Sequence, residues 1–280
     1  MPELPEVETV ARTLAPHVVG WRMVAVDVRD GRCLHPLSLP LKQAAGMTIG
    51  GVRRRGKLLL LDMQGGADEV LAVHLRMTGA LLPHAAGANG APPAPGPHTR
   101  CVFTLEGEYG ARQWLFFDDI RTFGKILLAT PAILQDWPFW RELGPEPLEI
   151  GADDLATRLR GKRTIKAVLL DQTVIAGIGN IYADESLFAA RIDPRRKADS
   201  ITPGMAGRLH SALQAVLRRA IEQCGTSFRN YRDANGDAGA FQNQLLVYGQ
   251  GGKPCPHCGR KLARATVAGR GTVFCPHCQK

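Results

Sequence analysis

Two CxxC pairs end the chain: Cys255-Pro-His-Cys258, then sixteen residues, then Cys275-Pro-His-Cys278. Knuckles at this hairpin-length spacing bring four thiolates to one point, the donor set of a tetrahedral zinc ion held in a small β-ribbon. The spacing predicts one structural Zn2+ per chain, closed to catalysis because protein fills every position. His257 and His277 sit inside the knuckles and read as bystanders. A redox dithiol pair is the competing reading. The other three cysteines, Cys33, Cys101 and Cys224, stand singly, and seven thiols without a leader fit a reducing cytosol. The opening Met-Pro-Glu-Leu-Pro-Glu has neither the basic nor the apolar region of a signal peptide. The longest uncharged stretch, 77–99, is rich in Pro, Gly and Ala, so no membrane span is expected.

Charge is spread unevenly along the 280 residues. Residues 1–150 carry 15 basic and 16 acidic side chains, whereas 151–280 carry 20 and 10, and the last 30 residues hold six Lys/Arg and no carboxylate. A one-sided basic half suggests a polyanionic partner. Nucleic acid stands ahead of a membrane surface because no amphipathic anchor accompanies the charge. A merely solubilising basic face is the plainer alternative.

The length suggests two domains. The first segment reads as a helix, with Pro5 in its first turn, Glu6 and Glu8 at its positive end, and Val7, Val10, Ala11 and Leu14 on one face. Strands follow at Met23–Val28, Lys57–Met63, Val70–Leu75, Val102–Leu105, Trp114–Phe117 and Lys125–Leu128; Gly-rich turns between them favour a β-sandwich. Residues 85–97 are Pro/Ala/Gly-rich and read as a loop between strands. A Pro- and Glu-rich connector around Gly144–Gly151 marks a domain boundary. Beyond it helices dominate: Thr202-Pro203 starts one whose Leu209, Leu213, Val216, Leu217 and Ile221 repeat at helical spacing, with Gly225 offered as its cap. Residues 226–244 show no period and form a long loop, which a compact domain rarely carries without a use.

Several short constellations carry chemistry. In Gly177-Ile-Gly-Asn180 the glycines permit a tight turn, and Asn180 stands where a helix begins, so free N–H groups there can bind phosphate. An Asn helix cap is the ordinary alternative. Removal of Met1 would expose Pro2 as a secondary amine beside Glu3 and Glu6. An α-amino group, with a pKa of about 7.7–8.0, is far less protonated at neutral pH than lysine. Such an amine can attack a sugar carbon and form an iminium ion while a carboxylate shuttles protons. A frayed terminus is the plain alternative. Lys57 follows Arg53-Arg-Arg-Gly56, where basic residues are usually solvated. His74-Leu-Arg-Met77-Thr-Gly79 and Arg121-Thr-Phe123-Gly124 put unusual side chains beside turns: Met77 and Phe123 suit a core, or else act as wedges in the space left by an extruded base, with Arg121 pairing the orphan. Arg270, between Gly269 and Gly271, has the backbone freedom for close phosphate approach.

Taken in order, MPELPEVET, RRRGK to Lys57, HLRMTG, DIRTFG, AGIGNIYADESLF and the terminal VYG…PCPHC…GRGTVFCPHCQ span nearly the whole chain. This series resembles the bacterial formamidopyrimidine-DNA glycosylase family, whose members are also DNA-(apurinic or apyrimidinic site) lyases. The resemblance implies an α+β chain: an N-terminal β-sandwich with flanking helices over 1–145, a linker at 146–152, a helix–two-turn–helix domain over 153–246 and a zinc-ribbon finger over 247–280. Residues 226–244 would be a lid over the flipped base.

By the same resemblance Pro2 is the Schiff-base nucleophile, Glu3 the proton shuttle and Glu6 a support of the lesion pocket. Lys57, Asn180 and Arg270 grip phosphates, with Lys57 and Arg270 also counted in the catalytic set. Met77, Arg121 and Phe123 fill the void, and His98 joins the DNA-binding set. The implied activity is a DNA repair glycosylase and lyase that excises oxidised purines from double-stranded DNA and cuts at abasic sites. It would act as a monomer in the cytoplasm, on the nucleoid when DNA-bound. Leu4, the methionine of HLRMTG and the DIRTFG segment favour this branch over the pyrimidine-repairing endonuclease VIII relatives, which start PEGPE. A non-catalytic zinc-ribbon lesion binder would not need Pro2, Glu3 and Glu6 together. The chain departs from the common pattern at Thr122, Gln244 and Gln250 and in the long insert 85–97.

Overall fold

The structure is a computed structural model that describes residues 1–87, 91–227 and 231–280. Its first element, α1 (Leu4–Val18), begins where Glu3 turns from extended backbone into the helix, with Pro5 in the first turn. Val7, Val10, Ala11, Leu14 and Val18 form its buried stripe.

Eight antiparallel strands follow: β1 (Arg22–Val28), β2 (Thr48–Arg55), β3 (Leu58–Gln64), β4 (Val70–His74), β5 (Gly79–Ala85), β6 (Thr99–Glu106), β7 (Arg112–Asp119) and β8 (Lys125–Ala129). They make one sheet in the order β5-β7-β6-β1-β2-β3-β4-β8. β5 and β8 stand at opposite ends of that order. Even so, Leu81 of β5 and Ile126 and Leu128 of β8 share one buried cluster with Leu14, Leu59, Phe103 and Phe117. The sheet therefore folds over around a single core that α1 completes. The sandwich takes this form rather than that of two separate sheets.

Two strands do not show in the sequence pattern. β5 carries Pro83, which is tolerated because β5 is an edge strand. β2 carries Arg53-Arg54-Arg55 where apolar alternation would be looked for. Its arginines are placed by partners: Arg53 pairs with Asp62 of β3 at 2.9 Å, and Arg54 pairs with Glu8 of α1 at 3.0 Å. Two short helices, α2 (Pro131–Asp136) and α3 (Pro138–Arg141), close this part of the chain.

By contacts, Met1–Arg141 and Cys224–Gly239 form one unit, and Glu142–Gln223 and Ala240–Lys280 a second. The sequence reading grouped 226–244 with the helical domain, whereas 224–239 is built into the first unit. Ala234 lies in the α1 core cluster and its N–H donates to Thr13 Oγ1 at 3.1 Å, while the Tyr231 hydroxyl donates to the Glu6 carbonyl at 3.1 Å. Residues 228–230 of that segment, and 88–90 of the insert, lie outside the described residues.

The second unit holds α4 (Ala152–Arg158), α5 (Ile165–Leu169), α6 (Asn180–Ala189), α7 (Pro203–Glu222) and the hairpin β9 (Ala263–Val267)–β10 (Arg270–Phe274). α7 starts as its sequence indicates, with Thr202 Oγ1 accepting the Met205 N–H ahead of Pro203. It ends at Gln223 rather than at Gly225. α6 is the central helix, buried from Ile181 through Phe188. Among the described residues no helix is long and apolar enough to cross a membrane.

Phe103 is fully buried at the middle of the folded-over sheet. Phe103→Ala is expected to cost about 3–5 kcal/mol of unfolding free energy, measured by urea denaturation followed through tryptophan fluorescence.

Candidate functional site

In the first unit, the start of α1 gathers the proposed chemistry. Pro2 is buried rather than frayed, Glu3 and Glu6 are 3% and 2% exposed, and Met1 lies at the surface. Glu3 is the N-cap residue of a capping box: its carboxylate faces the Glu6 N–H, and the Glu6 carboxylate accepts the Glu3 N–H at 2.8 Å. The other Glu6 oxygen accepts the Thr226 N–H at 2.8 Å. Only glycine fits at 225, where φ is +77° and a Cβ would lie 2.9 Å from Glu6 Oε1. Burial, and then the nearby Glu6 charge, push the Tyr231 hydroxyl well above the usual phenol range.

Lys57 occupies the tight turn between β2 and β3 and is 5% exposed, not solvated as its sequence context suggests. Opposite the next residue, Leu58, in the sheet, His74 is held neutral. Burial first, then the charges of Arg76 and Lys57, bring its pKa down to about 3. Its Nδ1 accepts the Arg76 N–H at 3.1 Å.

Met77, Arg121 and Phe123 come together although they lie on two different turns. The Arg121 guanidinium sits 3.1 Å from Met77 Sδ and 4.5 Å from the centre of the Phe123 ring. Met77 and Phe123 are 47% and 49% exposed, which excludes the reading of them as core. His98 is exposed at the start of β6, and its carbonyl accepts the Asp119 N–H at 2.9 Å, beside the same turns.

In the second unit, Asn180 is the first residue of α6, and Gly179, not Asn180, is the N-cap. The Asn180 amide instead donates to the Gly271 carbonyl at 2.9 Å, tying the helix start to the β9–β10 hairpin. That hairpin turns at Ala268 and Gly269, both with positive φ, and Arg270 follows, exposed. A cleft of 390 Å³ opens here, lined by Asn180, Tyr248, Arg264, Gly271 and Thr272 among others. A helix start, an Asn and an Arg at such a cleft suit a phosphodiester.

The four cysteine sulfurs lie within 4.8 Å of one another, with Cys255–Cys278 at 3.9 Å and Cys258–Cys275 at 3.6 Å. A tetrahedron with Zn–S bonds of about 2.3 Å has edges of about 3.8 Å. Cys255, Cys258, Cys275 and Cys278 therefore fit a structural zinc. His257 stacks on Phe188 at 5.0 Å, and His277 faces solvent. The Gln279 side chain accepts the Cys275 N–H at 2.7 Å and donates to the Ile192 carbonyl at 2.8 Å, which fastens the second knuckle to the chain following α6.

Sequence reasoning missed the residues that hold these pieces. Asp119 sits 1% exposed beneath the turn that carries Arg121 and Phe123, beside an exposed Ile120. Lys166 and Asp184 form a fully buried ion pair at 2.7 Å, and Lys166 also donates to Thr272 Oγ1 at 2.7 Å, next to Gly271. Glu185 accepts the N–H groups of Leu246, Val247 and Tyr248 at 2.8–3.0 Å. Asp119 and the 184–185 pair fall inside quoted motifs, but their partners are distant in sequence.

Removal of the metal should melt the ribbon and spare the sheet. Cys255→Ser, or a strong chelator, is expected to lose bound zinc and the order of 247–280, because binding free energy of about 10–16 kcal/mol is folding free energy in such sites. Elemental analysis should give one zinc per chain; active protein with substoichiometric metal would overturn the assignment.

Three family models match the chain. They are the formamidopyrimidine-DNA glycosylase N-terminal domain over residues 1–126, the formamidopyrimidine-DNA glycosylase H2TH domain over 143–231, and a zinc finger found in FPG and IleRS over 252–280. The chain is similar to the formamidopyrimidine-DNA glycosylase of Moorella thermoacetica, with 47% identity over 274 residues and 94% of each chain covered. It is also similar to a Lactococcus lactis FPG mutant solved with Fapy-dG containing DNA, at a TM-score of 0.87 and 35% identity over 100% of both chains. A MutM structure in complex with carbocyclic 8-oxo-G containing DNA matches at a TM-score of 0.86 and 34% identity, again over 100% of both. With these motifs, this geometry and full-length matches in agreement, the chain belongs to the formamidopyrimidine-DNA glycosylase family.

Proposed function

We propose that the chain is a bifunctional DNA glycosylase and abasic-site lyase of base excision repair, acting on oxidised purines such as 8-oxoguanine and formamidopyrimidines in duplex DNA. The observation that carries this reading is the buried Pro2 at the head of α1 with two buried carboxylates, Glu3 and Glu6, beside it. A non-catalytic lesion binder has no use for acids desolvated next to a terminal amine. The family match and the DNA complexes of related proteins support the same reading.

The damaged nucleotide leaves the helix at a cost of a few kcal/mol. Met77 and Phe123 take its place in the stack, and Arg121 meets the orphaned base. Lys57, Asn180 and Arg270 hold the flanking phosphates, with His98 alongside on the DNA face. Once Met1 is removed, the Pro2 nitrogen attacks C1′ as the C1′–N bond to the base breaks, and Glu3 supplies the proton. Glu6 bears on the pocket that receives the base, and residues 226–244 serve as the lid over the flipped base. Opening of the C1′–O4′ bond, with a proton delivered to O4′, then gives the iminium; this acidifies C2′, so β-elimination expels the 3′ phosphate, and δ-elimination then expels the 5′ phosphate. The divisions at 145, 152 and 246 bound the catalytic domain, the linker to the helical DNA-binding part and the start of the ribbon. The setting is the cytoplasm, on the nucleoid.

Borohydride added during turnover should leave the protein bound to DNA through residue 2. Protein that keeps Met1, whose Pro2 nitrogen is then an amide, should not trap. Glu3→Gln should lose base excision yet largely keep cleavage of a preformed abasic site. Equal trapping with and without Met1 would move the nucleophile elsewhere.

A second measurement separates grip from chemistry. Arg270→Ala should weaken binding to every duplex and lower the salt slope by about 0.9 for one lost phosphate contact, while Met77→Ala should leave that slope unchanged. Filter binding across a salt series reads both, and an unaltered slope for Arg270→Ala would sink the phosphate assignment.

A further inference from the structure

We infer that Asp119 is a positioning residue that staples the two wedge turns into one rigid unit before DNA arrives, with Thr78 as the other half of the staple. The inference rests on the wedge reading of Met77, Arg121 and Phe123 and goes beyond it. The three side chains come from separate turns, β4–β5 and β7–β8, and nothing in the local sequence links those turns. Asp119 does so. One carboxylate oxygen accepts the Thr78 hydroxyl, from the Met77 turn, together with the Arg121 N–H at 3.2 Å; the other accepts the Gly124 N–H at 2.7 Å. Thr78 Oγ1 closes the ring by accepting the Arg121 N–H at 3.1 Å.

The surroundings mark this as more than an ordinary turn. Asp119 is buried, at 1% exposed, and Thr78 half-buried, while Met77 and Phe123, which they carry, are about half exposed. Each turn holds a non-glycine residue in the left-handed region directly before a wedge residue: Arg76 at φ 53° ahead of Met77, and Thr122 at φ 56° ahead of Phe123. Such conformations persist only where the surroundings over-determine them. Gly124 completes the fit, since a Cβ there would lie 2.5 Å from Phe117 and 3.1 Å from Asp119 Oδ2. A plug assembled in advance does not have to order two flexible turns while it displaces a stacked base.

The test uses the full-length, zinc-loaded protein and the relative single-turnover excision rates of 8-oxoguanine opposite each of the four bases. Thr78→Val and Asp119→Asn should each slow excision by about tenfold, the equivalent of one lost hydrogen bond. They should also compress the spread of rates over the four opposite bases, because Arg121 is no longer aimed. Thermal unfolding accompanies each variant. If Asp119→Asn fails to fold, Thr78→Val, which is near-isosteric and removes only the bridging hydroxyl, decides the matter. Uniform slowing at all four opposite bases, or no slowing in Thr78→Val, overturns the staple. Arg121→Ala provides the control: if it leaves the spread unchanged, the wedge reading itself has failed and the staple with it. If it compresses the spread while Thr78→Val does not, only the staple has failed.

Discussion

Buried carboxylates that receive backbone N–H groups hold several of the segments on which this molecule's chemistry depends. Glu6 takes the amides of Glu3 and Thr226, Asp119 those of Arg121 and Gly124, Asp184 that of Val273, and Glu185 those of Leu246, Val247 and Tyr248. A loop that must carry an exposed functional side chain cannot be fixed by apolar packing of that side chain. Its backbone amides are the groups left to hold, and a charged acceptor in a dry setting binds them more strongly than a neutral one. Removal of one such acceptor would strand several buried donors at once, each at about 1–3 kcal/mol. The buried acids of this chain thus serve to place its backbone.

Local structure is legible in the sequence. The α1 stripe, the Thr202-Pro203 start of α7, the strand runs rich in Leu, Val and Phe, and the paired CxxC knuckles are all patterns within a few residues. β2 escaped because its arginines are satisfied by Asp62 and Glu8, so polarity there says nothing about exposure. β5 escaped because a proline on an edge strand looks like a loop. The candidate site was legible as a set of residue types. How those residues are held was not, because Asp119 meets Thr78 across 41 positions and Glu185 meets Val247 across 62. Contacts at that separation leave no periodic trace in a single sequence.

Charge and chemistry are divided along the chain. The first 150 residues are nearly neutral, and the remaining 130 carry the excess of Lys and Arg. Long-range attraction to a polyanion therefore comes mainly from the helical part and the ribbon. The near-neutral sheet can then examine a base through shape and hydrogen bonding without holding every duplex equally tightly. Arg270 at the hairpin tip and the ion pair Lys166–Asp184 beneath that hairpin illustrate the two uses of a cation in the second unit. One is left in water for a partner, and the other is buried to fasten β10 to α5 and α6.

Segment 224–239 belongs to the first unit while the residues on both sides of it belong to the second, so the backbone passes between the units three times rather than once. With a single connection, one proteolytic nick would part the units and each would melt on its own schedule. Here a cut near residue 142 leaves two strands of chain still joining them. Unfolding of α7, or of the residues after Ala240, pulls directly on the stretch that Glu6 and Thr13 hold in place. The stretch held by Glu6 and Thr13 is therefore anchored at both of its ends in chain that belongs to the second unit.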